Sequence, residues 1–119
     1  MAITELTKRA KEKSTYMVNV AFKDEDDAAV TPNVGTVVWT LSDKYGNPVN
    51  SLEDQAEASA ATVTIVMSAL DLQVLSNERT FPEVERRLTV YAEYDSDEGT
   101  DLPIIDSCKF FIRNLRYIS

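Results

Sequence analysis

The chain of 119 residues contains no histidine. That absence removes the commonest general base, the usual zinc ligand and every Ser-His or Cys-His nucleophile pair. A single cysteine, Cys108, excludes an intrachain disulfide and a cysteine metal cluster. It lies in the apolar stretch Cys108-Lys109-Phe110-Phe111-Ile112 and is read as a buried structural thiol, consistent with folding in a reducing cytoplasm. With three glycines in total there is no glycine-rich phosphate loop. Uninterrupted apolar runs are no longer than three residues, so no transmembrane helix is expected. Residues 1–14 are charged and lack an apolar h-region, so a secretory signal is not expected either.

What is present reads as one globular domain. Hydrophobic residues make up 44% and charged residues 27%, near the globular average, so wholesale disorder is disfavoured. Net charge is −8, unevenly placed. Residues 1–14 set Lys8, Arg9, Lys11 and Lys13 against Glu5 and Glu12, for +2, and the remainder carries −10. An acidic body repels phosphate backbones, so nucleic acid is not an expected partner beyond a weak touch by the basic arm, and with no spanning run a membrane is not expected either. A basic arm on an acidic body instead suits docking on a neighbouring subunit.

Ile3, Leu6 and Ala10 follow helical spacing, so the arm is expected to be a short amphipathic helix or an extended segment. From Thr15 the period becomes two. Strands are expected over 15–23, 36–43, 61–67, 84–94 and 103–115, with a short return strand near Pro48 to Leu52. Asp43-Lys44-Tyr45-Gly46 matches a type I turn with a glycine bulge. Ser68 to Leu72 reads as one helical turn whose leucines plug the core, and 53–60 and 73–82 read as loops. Six or seven short strands with no crossover helix predict an all-β, immunoglobulin-like antiparallel β-sandwich over 15–119, preceded by an attachment arm over 1–14.

Asp95-x-Asp97-x-Gly99-x-Asp101 suggests calcium, but the EF-hand pattern fails. It needs an oxygen ligand at Gly99, glycine at Thr100 and a bidentate glutamate at Asp106. A solvated acidic turn is the expectation, with a non-EF site shared with Asp24 to Asp27 as the alternative if both loops share one end. No metal or cofactor is assigned. Trp39 reads as core. Tyr45, Tyr91 and Phe111 fall at turn or outward positions and suit a partner protein or, less directly, sugar stacking. Nothing sets two carboxylates apart in an apolar pocket, so an enzyme is not expected.

The order Tyr16-x-Val18-x-Val20-x-Phe22-x-Asp24-Glu25, Pro32, then Val38-Trp39-Thr40-Leu41-x-Asp43-x-x-Gly46-Asn47-x-Val49-Asn50, resembles a family of small virion proteins of tailed bacteriophages. The likeness continues through Val63-x-Ile65-Val66-Met67-Ser68-x-Leu70-Asp71-Leu72 and Arg87-Leu88-Thr89-Val90-x-Ala92-x-Tyr94-Asp95-Ser96-x-x-Gly99, and ends at Phe111-Ile112 and Asn114-Leu115. It spans roughly residues 15–115. The resemblance implies a non-enzymatic structural component of head, neck or tail, assembled in the bacterial cytoplasm and located in the virion. Its expected partners are other virion proteins and copies of itself. Capsid decoration is the leading role, with a neck or tail accessory, or a carbohydrate- or cell-surface-binding module, as alternatives. The expected contact residues are Ile3, Leu6, Lys8, Arg9, Lys11 and Lys13 of the arm, with Tyr45, Tyr91 and Phe111.

Overall fold

A computed structural model describes residues 4–6 and 8–114; Ile3 and Leu115 lie outside the described residues. The fold is all-β. Its strands are β1 (Thr4–Glu5), β2 (Ala10–Lys11), β3 (Thr15–Ala21), β4 (Val38–Ser42), β5 (Gln55–Ala56), β6 (Thr62–Ser68), β7 (Glu83–Ser96) and β8 (Gly99–Arg113). One sheet runs β1-β8-β7-β4-β5, with β2 also on β8, and the other is the antiparallel pair β3-β6.

Strict alternation produces both sheets. On β7, Val84, Leu88, Val90, Ala92 and Tyr94 are buried, while Glu85, Arg87, Thr89, Tyr91 and Glu93 point outward. On β3, Tyr16, Val18 and Val20 are buried between exposed neighbours, and on β6 Val63, Ile65 and Met67 repeat the pattern. The two inner faces share one core around Trp39, Leu41, Ile65, Leu88 and Phe110. Tyr16 stacks on Phe110 across it, with ring centroids 4.6 Å apart. Each fully buried side chain of this size contributes about 1.5–3 kcal/mol.

The β7-β8 hairpin dominates the shape. Its arms of 14 and 15 residues would span about 50 Å at the rise of a strand, which matches the 52 Å long axis of the molecule. The chain turns at Asp97 and Glu98 at the far end, beside a bulge between Tyr94 and Ser96.

The structure corrects several expectations. The N-terminal segment forms no helix among its described residues. Instead β1 and β2 pair parallel with β8, Thr4 opposite Cys108 and Ala10 opposite Ile112, so the large sheet is mixed rather than antiparallel. The chain advances four residues from Leu6 to Ala10 where β8 advances two, which leaves a bulge at Lys8 and Arg9. A sheet edge with unpaired amides outcompetes a helix too short to be stable alone. The turn after β6 is a 3-10 turn over Ala69–Leu72 that buries Leu72 but leaves Leu70 65% exposed, so one leucine plugs the core, not two. Loop 53–60 contributes the two-residue strand β5, and loop 73–82 a 3-10 turn over Ser76–Glu78.

The Asp43 turn forms as its residues predict. Gly46 adopts φ +85°, its amide donates to the Asp43 carbonyl, and the Asp43 carboxylate accepts from the amides of Tyr45 and Asn47. Burial raises the Asp43 carboxyl, but those amide bonds outweigh it and hold the pKa below its ordinary value.

Candidate functional site

The N-terminal segment is knitted into the domain by its backbone and displays its cations from there. The Leu6 amide donates to the Lys109 carbonyl and the Glu12 amide to the Arg113 carbonyl, 2.8 and 2.9 Å. Leu6 packs on the core and Ala10 belongs to it. The Tyr16 hydroxyl donates to the carbonyl of Lys8 at 2.8 Å, fixing the bulge from below. Lys8, Arg9, Lys11 and Lys13 all reach the surface.

Arg9 is the pivot. Its Nε donates to Glu83 at 2.9 Å, and its guanidinium lies 4.8 Å from the centroid of the Phe111 ring. That stacking uses the flat, weakly hydrated face of the guanidinium and orients its remaining donors. Phe111 in turn lines a cleft of about 550 Å³ between the Asp43–Asn47 turn and the 75–81 loop, floored by the start of β7. Tyr45, 78% exposed, and Phe81, 54% exposed, also line it. Lys44 sits over the Tyr45 ring at 5.2 Å.

The structure therefore brings three expected contact residues, Arg9, Tyr45 and Phe111, to one end of the molecule. Tyr91 is not among them. It stands mid-sheet on the outward face of β7, lines a separate hollow with Val38 and Thr89, and donates its hydroxyl to Glu93 at 2.5 Å. That bond to a carboxylate holds the Tyr91 pKa above its usual value. Tyr45, Tyr91 and Phe111 are thus not one aromatic platform.

Five residues that were not among the expected contact residues, Glu12, Glu78, Arg79, Arg86 and Asn114, hold this end in shape. Glu12 is fully buried in its side chain; it accepts from the Val74 amide at 3.2 Å and from Arg79 Nη1 at 2.9 and 3.1 Å. Arg86 occupies an inward position on β7, has no exposed surface, and forms two hydrogen bonds to Glu78 at 2.6 and 2.9 Å. Burial raises the Glu78 carboxyl; the Arg86 pair and the Leu75 amide outweigh that and lower its pKa overall. Asn114 donates to the carbonyls of Arg79 and Phe81. These bonds clamp the 73–82 loop, and with it Phe81. Its only sequence signal is an aromatic stranded in a polar loop before Pro82.

At the opposite end the two acidic loops meet, as the alternative for a cation requires. Ser96 Oγ donates to Glu25, and Asn33 Nδ2 bridges Asp95 and Asp101 at 3.0 and 3.2 Å. Carboxylate oxygens of Asp24, Glu25 and Asp26 come within 4.8 Å of one another. The Asp24 carboxylate, however, accepts from the amides of Asp26 and Ala28, 2.9 Å each, and Asp95 accepts from the Asp101 amide at 2.8 Å. Asp24 and Asp95 are thus engaged in shaping their own turns. The Asn33 and Asp101 bonds hold the Asp95 pKa low. Cys108 lies partly buried on β8; burial, reinforced by nearby Asp106, pushes its thiol up to about 11.

Compared with protein-family models, curated proteins and solved structures, the chain finds no match.

Proposed function

We propose that the chain is a non-enzymatic structural protein of a tailed-bacteriophage virion. In this reading it is a capsid decoration protein on an immunoglobulin-like β-sandwich, attached through the arm end of the molecule. The resemblance over residues 15–115 supplies the class. The observation that carries the mode of attachment is the seating of Arg9 on Phe111 and Glu83, beside the Tyr45–Phe81 cleft. A flexible tail would lose conformational entropy on docking. Here the basic segment is already ordered along β8, with Lys8, Arg9 and Lys11 at the surface and Arg9 stacked on Phe111, which lines the cleft with Tyr45 and Phe81. Cations flanking aromatics make a contact surface with a packed centre and a charged rim. Display of many copies on a regular shell then turns a modest single contact into firm attachment. A neck or tail position uses the same surface with a different copy number.

Co-sedimentation with phage particles tests this. Phe81→Ser and Tyr45→Ser, both at exposed positions, are expected to weaken particle binding tenfold or more, with melting temperatures close to that of the parent. Undiminished particle binding by the double variant would exclude this end as the attachment surface. No binding of the parent chain to any particle fraction would exclude the virion role.

A further inference from the structure

The N-terminal segment covers one edge of the large sheet, and the strand at its other edge, β5, is two residues long. The small sheet is different. Strand β6 pairs only with β3, over seven residues, and its far side carries no strand among the described residues. The hydrogen-bonding phase follows from the Phe22-to-Ala61 and Ala69-to-Ser14 bonds at the two ends of the pair. Val63, Ile65 and Met67 direct their backbone groups to β3, so Thr62, Thr64 and Val66 direct theirs to the open side.

Natural edge strands are guarded by lysine, proline, bulges or short length. Strand β6 has none of these. Residues 58–70 hold no charged residue, glycine or proline, in a chain where 27% of residues are charged. The outward face of the β3-β6 pair is equally free of charge: Thr15, Met17, Asn19 and Ala21 beside Thr62, Thr64, Val66 and Ser68. Met17 and Val66 stand directly opposite each other there, 64% and 50% exposed.

We infer that the open edge of β6 is a self-association site, where a second copy of this chain adds its own β6 antiparallel about a two-fold axis to make a continuous four-stranded sheet. The charge distribution selects the partner. At a net charge of −8 two copies repel over most of their surface, and an uncharged strand is where they approach without a like-charge penalty. A partner recognised by opposite charge would find nothing to bind on this edge. An isologous contact also needs a self-complementary patch. With the axis at Thr64, Thr64 faces its counterpart and Thr62 faces Val66 of the other copy. Each of these three residues offers one donor and one acceptor, so the ladder closes with about six backbone hydrogen bonds. The acids flanking the strand are already tied down within their own chain. Glu57 accepts from Trp39 Nε1 at 3.0 Å, and Asp71 from the Ser68 amide at 3.1 Å. This association does not depend on the virion reading.

The test is analytical ultracentrifugation of the full chain over a concentration series at about 0.05 and 0.5 M NaCl, where screening differs severalfold. A monomer–dimer equilibrium that tightens with salt is expected, because screening relieves repulsion between the acidic bodies. Thr64→Lys, which sets two ammonium groups face to face on the axis, should be monomeric throughout and melt near the parent temperature. Should that variant not fold, Thr64→Cys replaces it: oxidation should crosslink it into dimers and leave Ala21→Cys uncrosslinked. A parent chain that stays monomeric up to about 1 mM overturns the inference. So does a Thr64→Lys variant that dimerises like the parent. Association that weakens with salt overturns it as well, and assigns the contact to the basic arm of one copy on the acidic body of another.

Discussion

Replacing Glu12 by alanine tests whether the N-terminal segment belongs to the folded domain. The Glu12 side chain has no exposed surface and accepts from the amide of Val74, itself 1% exposed, and from Arg79, which is 39% exposed. In the alanine variant the Val74 amide is left buried without an acceptor, at a cost of about 1–3 kcal/mol. The freed Arg79 rehydrates, so loss of that ion pair adds up to about 1 kcal/mol. The total is about 1–4 kcal/mol. For a domain of this size that lowers the melting temperature by roughly 4–16 °C. It also moves the urea midpoint down by about 0.5–2 M with the slope unchanged. Glu12→Gln keeps an oxygen for the Val74 amide and should cost only about 1 kcal/mol. Paired urea titrations of the three proteins decide the matter. An alanine variant within about 0.5 kcal/mol of the parent, or a glutamine variant as unstable as the alanine one, would refute the reasoning.

Arg86→Ala strands Glu78 against the core, and a loss of about 3–5 kcal/mol is expected by thermal or urea unfolding; Arg86→Leu combined with Glu78→Gln should recover most of it. Because the folded Glu78 pKa lies below its ordinary value, its contribution is full above about pH 4.5 and is lost as pH falls through the folded pKa. A stability profile between pH 6 and 3 should therefore fall less steeply in that double variant. Cys108, with its thiol pushed up to about 11, should react with a thiol reagent far more slowly in the folded chain at pH 8 than in urea; equal rates would contradict its burial. Since the acidic loops satisfy their own turn amides, calcium and a chelator should leave the melting temperature unchanged, and a rise with calcium would assign the Asp24–Asp26 cluster to an ion.

Much of the strand framework is legible in the sequence because alternation is a local signal. Leu88, Val90, Ala92 and Tyr94 announce the inward face of β7, and Asp43 with Gly46 announces its turn. The parallel seating of the N-terminal segment is not legible, since two-residue strands carry no period and Ile3-Leu6-Ala10 spacing imitates a helix. Arg86 escapes for a related reason. A charged residue at an inward position looks like a break in the pattern until a loop eight residues earlier supplies Glu78. The arm-end cleft depends on residues 9, 45, 81 and 111 meeting, and no local motif encodes that convergence. The β-branched residues of β6 announce a strand, but the exposure of its edge follows only from the topology.

The virion attachment proposed above is measured directly by quantitative mass spectrometry on tailed-phage virions purified from a lysate in which this chain is expressed, with copy number taken relative to the major capsid protein. A decoration protein gives a copy number comparable to that of the capsid protein. About a dozen copies, the size of a closed ring, would move the protein to the neck or tail, and absence from the particle would contradict the virion role.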